Sequence, residues 1–280
     1  MRISKAIVRI DSAKTESDLL EFSVADLDDL KKAKTRLERP SLTAKIAGLV
    51  GRPIEAGFKL LPKNWNQKVG KVTEAALLKG LDLSIRTMGK RETRQAHDWL
   101  HKAVVTGSGM AAGAVGPYSL FVELPFATGV MLRSIAEIAR SEGHDVSLVQ
   151  TKLECLEVLA LGGKGAEDDS VETGYWSVRG ALAKSVSEAA THLAQKGLTD
   201  KGAPPLARLV AAIASRFGGV VTEEAVAIAI PIVGAVSGGA INYLFMNHFQ
   251  EMARGHFVVK RLEKKYGRAL VEKTYSDLVI

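Results

Sequence analysis

Two long stretches without a charged side chain constrain this chain more than any other feature. Ala103 to Val122 is uncharged, and between Glu224 and Glu251 the only ionisable side chains are Tyr243 and His248. A run of about twenty uncharged residues reaches the length of a bilayer-spanning helix. Gly107, Gly109, Gly113, Gly116 and Pro117 interrupt the first run, and Pro231, Gly234, Gly238 and Gly239 the second. Glycine and proline at this density oppose one straight spanning helix and favour a buried or re-entrant helical hairpin, or the central helices of a soluble bundle. Gly109 with Gly113, and Gly234 with Gly238, have the four-residue spacing that lets two helix backbones approach closely. These four glycines are expected at helix crossings, where a larger side chain would clash.

The remainder reads as helix. From Val24 to Glu38, Leu27, Leu30, Ala33 or Lys34, and Leu37 share a face, with acids early and bases late as the helix dipole prefers. Pro40 ends that segment. A helix is expected from Ser41, its apolar positions running through Leu42, Ile46, Leu49, Pro53 or Ile54, Phe58 and Leu61, with Pro53 kinking or splitting it. A further helix is expected near Val72 to Thr87 and another over Ser134 to Arg140. The segment around Leu153 should turn Val149, Leu153, Leu156 and Ala160 inward, with Cys155 a small core residue beside them. The Gly- and acid-rich stretch at 162–171 reads as an exposed loop. After it, Tyr175, Val178, Leu182, Val186, Ala189 and Leu193 line one face. The last helix continues from the second uncharged run, with Ile241, Phe245, His248, Met252, Val259 and Leu262 inward and Arg254, Arg261, Lys265 and Arg268 opposite. No strand-period segment of useful length follows residue 23. The expected fold is therefore all-α, an irregular multi-helix bundle with the two glycine-rich apolar segments packed centrally. Residues 1–40 form an N-terminal arm and short helix, and 41–280 the helical domain.

Charge is unevenly placed. Met1 to Lys102 holds 21 basic and 13 acidic residues, and the remainder 17 and 18. Lys45, Arg52 and Lys59 recur every seven residues and share a helix face, with Lys63 following. A basic amphipathic helix of this kind suits an anionic membrane surface, and otherwise forms an ordinary solvated face. The single cysteine, Cys155, excludes an internal disulfide and fits a reducing cytosol. The first twenty residues scatter Arg2, Lys5, Arg9 and Lys14 among short apolar runs, so no secretory signal is expected there.

Chemistry is sparse. His97 and His101 stand at the spacing of helical metal ligands, but Asp98-Trp99-Leu100 lies between them and the glutamate of a zincin is missing, so they are weak metal candidates. No nucleophile elbow, SxxK or phosphate-binding loop occurs. No cofactor is implied. Nucleic acid is disfavoured because no recognition module accompanies the basic third. Arg133, Glu137 and Arg140 follow one another by four and three residues and can pair along a helix, while Glu123 is an acid stranded in apolar sequence. Unpaired burial of such an acid is costly, so a partner for it is expected in an arginine, a helix N-terminus or a water.

The stretch ELPFATGVMLRSIAEIARSEGHD at 123–145, and IPIVGAVSGGAINYLFMNHFQEMARGHFVVKRLEKKYG at 230–267, resemble two separated motifs of EcsC-type proteins. The likeness extends over roughly Ser41 to Gly267. It implies a helical, mostly bacterial protein and no particular reaction, and it marks Glu123, Arg133, Glu137, Arg140 and Asn242 as the motif's polar set. The founding member is encoded beside an ABC transporter, which implies a membrane-protein partner. Glu123 stands for the more usual Asp, and Ser141-Glu142 where an aromatic commonly precedes Gly143. The expected function is a non-enzymatic protein, cytoplasmic and peripheral to the inner face of the cell membrane, meeting an anionic membrane surface or lipid. The alternatives are a soluble helical interaction module and an unrecognised hydrolase or lipid-modifying enzyme. Oligomeric state is not legible.

Overall fold

The computed structural model of the chain describes residues 22–38, 61, 63–87, 98–113, 120–161, 174–196, 203–229 and 234–280. The helix expected from Ser41, with Lys45, Arg52 and Lys59, lies outside them, as do His97, Pro40 and the loop at 162–171. The described residues form α1 (Val24–Leu37), α2 (Trp65–Thr87), α3 (Asp98–Gly113), α4 (Leu120–Ser141), α5 (Val149–Leu161), α6 (Gly174–Lys196), α7 (Pro204–Ala229), α8 (Gly234–Tyr266) and α9 (Arg268–Asp277). No strand occurs among them, and the fold is an all-α multi-helix bundle.

The spine is α8, whose 33 residues extend about 50 Å at 1.5 Å per residue. It packs against α1, α3, α4, α5, α7 and α9. The six residues expected on its inward stripe, Ile241 to Leu262, are all buried. The helix stops at Gly267, whose φ of +86° is a conformation that side-chain-bearing residues rarely adopt. The helix expected over Ser134 to Arg140 is longer than its pattern suggests, beginning at Leu120 and running through Pro125. That proline lies in the second turn, past the N–H groups that are free in any helix, so the helix gives up one intrahelical hydrogen bond there. At its far end Gly143 (φ +84°) donates to Arg140 O and His144 to Ala139 O, the paired bonds of a Schellman cap.

The pattern of α5 misleads. Its inward stripe was expected at Val149, Leu153, Leu156 and Ala160, yet Thr151 to Ala160 is buried on every side, Lys152, Glu154 and Glu157 included. The reason is position, because α5 is enclosed by α2, α4, α6, α7 and α8 and has no solvent face along this length.

The acids at the start of α1 anchor it to α8. Asp26 accepts hydrogen bonds from Lys265 Nζ and Tyr266 Oη, both at 2.6 Å, and Asp29 pairs with Arg261 at 2.7 Å. The bonds from Lys265, Ser23 and Tyr266 hold the Asp26 carboxyl well below the usual range. Lys34 is buried and donates to Tyr275 O at 2.9 Å and Leu278 O at 2.8 Å, satisfying the last carbonyls of α9. The basic face expected opposite the apolar stripe of α8 is thus largely consumed within the fold. Arg254, Arg261 and Lys265 pair with Asp98, Asp29 and Asp26, and only Arg268 keeps to its own helix, beside Glu272 at 3.5 Å.

Gly109, Gly113, Gly234 and Gly238 lie in α3 and α8, and their surroundings fall outside the described side chains. Other glycines make close crossings. A Cβ on Gly255 would meet Leu37 Cγ at 2.6 Å and the Ala33 carbonyl at 3.1 Å, and one on Gly80 would meet Leu132 Cδ1 at 2.5 Å. Gly255→Ala should therefore push α1 off α8 and cost about 1–3 kcal/mol. Gly219→Ala, at an exposed α7 position with nothing within 4 Å, should stabilise by about 0.5–1 kcal/mol. Thermal or urea unfolding of the pair checks both signs.

Candidate functional site

α3 runs antiparallel to α4 and α8. Ser108 meets Glu123 near one end of the packed region, and His101 meets Glu137 near the other. From Asp98 to Ser108, the surface α3 turns inward carries Val105 in the core and is otherwise polar. Asp98 pairs with Arg254 and, through its carbonyl, accepts from Gln250 Nε2 at 3.2 Å, while the same amide donates to Ser134 Oγ at 2.9 Å. His101 Nε2 lies 3.1 Å from Glu137 Oε2, and Arg133 Nε 3.6 Å from Glu137 Oε1. Lys102 donates to Asn247 Oδ1 at 2.8 Å and sits 5.3 Å from the Tyr243 ring centroid.

At the glycine-rich end, Glu123 Oε1 accepts from Ser108 Oγ at 2.8 Å and Asn242 Nδ2 at 2.7 Å, and Asn242 Nδ2 also donates to Val105 O at 3.0 Å. Glu123 is 9% exposed and lies in the first turn of α4, where the helix dipole favours an acid. Its other oxygen, Oε2, is buried with no hydrogen-bond partner among the described residues.

The outward face of α3 is apolar. Trp99 is 70% exposed, Leu100 and Val104 are also exposed, and Ala103 and Gly107 continue the face. Phe126 of α4, one turn beyond Glu123, is 52% exposed, and Tyr243 of α8 is exposed beside Lys102.

The structure thus brings Glu123 to Asn242, and Arg133 to Glu137, but the two pairs are separate links of one seam. Arg140 is half-buried further along α4. Lys63 is exposed ahead of α2, at the opposite end of that helix from the exposed Leu83 and about 30 Å from it by helix rise. His101 is engaged with Glu137, and no group of three His, Cys, Asp or Glu suited to a metal occurs among the described residues.

A second polar cluster, unforeseen in the sequence, lies between α5, α6 and α8. Arg179 makes a bidentate pair with Glu263 at 2.7 and 2.9 Å and reaches Tyr175 Oη at 3.4 Å. Tyr175 Oη is 3.2 Å from His256 Nδ1, and His256 Nε2 is 4.0 Å from Glu157 Oε2. Lys260 pairs with Glu154 at 2.9 Å. Burial pushes the Glu157 carboxyl up to about 7 and, with the nearby Arg179 charge, drives His256 well below its ordinary value. Spacing could have pointed to these residues: Tyr175 and Arg179 are four apart, and His256, Lys260 and Glu263 fall on one face of α8.

One stretch of the described helices, Pro204–Thr222 in α7, is long and apolar enough to cross a membrane by length and composition, and 56% of it is buried inside the bundle.

Glu157 gives a pH prediction. Its folded value lies above the ordinary 4.5, so its contribution is fully present below pH 4.5 and is lost as pH rises towards 7, where ionisation without a close partner is penalised. Glu157→Gln should match the parent near pH 4 and be more stable by about 1–3 kcal/mol at pH 8. Unfolding curves at the two pH values measure the difference.

The family model described as the EcsC protein family matches residues 25–262, and the chain belongs to that family. No curated protein and no solved structure matches it.

Proposed function

We propose that this EcsC-family protein is a non-enzymatic helical protein that docks on an anionic membrane surface, with the outward face of α3 lying in the interface. The observation that carries this reading is the inversion of α3. A helix on the outside of a soluble bundle turns its apolar stripe to the core and its polar face to water. From Asp98 to Ser108 α3 does the reverse apart from the core residue Val105, holding Asp98, His101, Lys102 and Ser108 against its neighbours while Trp99, Leu100 and Val104 face outward.

An apolar face rimmed by aromatic residues suits the headgroup boundary, where Trp and Tyr reside with one side apolar and the other wet. Burying such side chains contributes roughly 1–2 kcal/mol each when they begin half-exposed. The basic excess of the first 102 residues adds attraction of about 1 kcal/mol for each cation near an anionic leaflet. On this reading the protein is cytoplasmic and peripheral, on the inner face of the cell membrane, where a membrane protein such as a transporter is within reach as a partner. A soluble interaction module would use the same face against a protein.

The test is co-sedimentation with vesicles, read together with tryptophan emission. Of the three tryptophans, Trp65 is buried and Trp176 half-buried, so a change on docking reports chiefly Trp99. Vesicles containing phosphatidylglycerol should bind the protein in a salt-sensitive way and shift its emission to the blue, and pure phosphatidylcholine vesicles should bind it at least about tenfold less. Trp99→Ser with Leu100→Ser should weaken binding by about tenfold or more without lowering the melting temperature, because both positions are exposed. Charge reversal at Lys45, Arg52 and Lys59 should remove the preference for anionic lipid. Absence of binding at low salt would reject the membrane reading in favour of the interaction module.

A further inference from the structure

We infer that Glu123, with Ser108 and Asn242 around it, receives a primary ammonium group, that of a phosphatidylethanolamine headgroup at the surface on which α3 lies. The inference deepens the membrane reading and rests on it for the source of the ammonium.

The argument is an account of donors and acceptors. Asn242 has two amide hydrogens, and it makes two bonds, to Val105 O and Glu123 Oε1. Ser108 has one hydroxyl hydrogen, with Glu123 Oε1 at 2.8 Å and Val105 O at 3.0 Å both in reach of it. The described side chains around Glu123 therefore have no hydrogen left to offer an incoming anion. What remains is acceptor capacity, chiefly Glu123 Oε2, buried and without a partner. A buried acceptor left unpaired costs about 1–3 kcal/mol, and more on a charged group. The complement is a group that brings N–H donors and positive charge together, which a primary ammonium does with three hydrogens. A quaternary ammonium carries the same charge and no N–H, so it cannot complete the bond.

Position favours a headgroup. Ser108 is half-buried next to the exposed Gly107, and Phe126, three residues after Glu123, shares its side of α4 and is exposed. The acid therefore lies at the border of the apolar face, where the polar end of a lipid would rest if its chains met α3.

The test separates this from docking itself by using single lipid molecules. Dihexanoyl-phosphatidylethanolamine and its N-methyl, N,N-dimethyl and choline counterparts, below their micelle concentrations, are titrated into the full chain by NMR. Affinity should fall stepwise with methylation and be about five- to tenfold weaker for choline than for ethanolamine. Glu123→Gln should flatten the series, and Ser108→Ala, which keeps the acid, should preserve its order. An equal response to all four lipids in the parent protein, or an unchanged series in a folded Glu123→Gln variant, overturns the proposal. If the series appears but vesicles do not bind, the ammonium site stands and the membrane role fails. If vesicles bind and the series is flat, docking stands and the ammonium site fails.

Discussion

A polar side chain taken out of water needs a partner, and on α8 those partners come from almost every side of the molecule. Asn242 meets Glu123, Gln250 meets Ser134, and Arg254 meets Asp98, which ties in α3 and α4. Further along, His256 meets Tyr175, Lys260 meets Glu154, and Glu263 meets Arg179, which ties in α5 and α6. Arg261 and Lys265 then hold α1. Apolar packing supplies the core, with Phe217, Phe245 and Phe249 meeting edge to face or tilted where α7 and α8 cross. Such packing tolerates sliding, whereas these polar pairs do not. The buried pairs among them, Asn242 with Glu123, Gln250 with Ser134 and Glu263 with Arg179, fix the register of their helices on the spine, because a shift of one residue would leave both partners buried and unpaired.

The same device gives α3 its inverted character. Its inward polar residues are hydrogen-bonded, so they can be buried beside Val105, and Trp99, Leu100 and Val104 are left to the outside. A helix held this way gains less from burial than a helix docked through leucines, since a typical net hydrogen bond contributes only about 1 kcal/mol. The exposed Trp99, Leu100 and Val104 represent stabilisation that the isolated protein does not collect. That is the physical meaning of an exposed apolar face, and it is why such faces mark contact surfaces.

Much of this architecture was legible from spacing. The stripes of α1, α6 and α8 lie where three- and four-residue steps put them, because those helices have one core-facing side. α5 escaped because periodicity carries no signal about a helix enclosed all round. α3 misleads for a related reason: its uncharged composition suggests burial, while the structure spends its few polar residues on the interior. Pattern alone cannot tell an apolar face turned inward from one turned outward. Glu123 stood out as an acid in apolar sequence, Asn242 was marked only by the family resemblance, and the two meet. Arg133 and Glu137 pair as their spacing allows, yet the partner that draws Glu137 inward is His101, which was singled out for a different chemistry. The cluster around Arg179 and Glu263 needed the tertiary fold, since its members come from three helices.

The two polar clusters differ in a way that bears on which of them serves a ligand. The Arg179 cluster is sealed. His256 is 0% exposed, Tyr175 and Arg179 are buried, and the strongest charges are spent on one another in a bidentate pair. Its unsatisfied atom, His256 Nε2, faces Glu157, whose raised carboxyl value shows that burial outweighs the neighbouring charges. Nothing from outside reaches that gap without opening three helices. The Glu123 cluster has the opposite construction: its donors are committed, one acceptor is vacant, and half-buried Ser108 and exposed Phe126 bring it to the surface. A closed network with matched charges fixes helix positions, whereas a network near the surface that lacks a donor has an acceptor left to pair. By that criterion the proposed ammonium site falls at the stranded acid Glu123, rather than at the larger and more heavily charged cluster behind it.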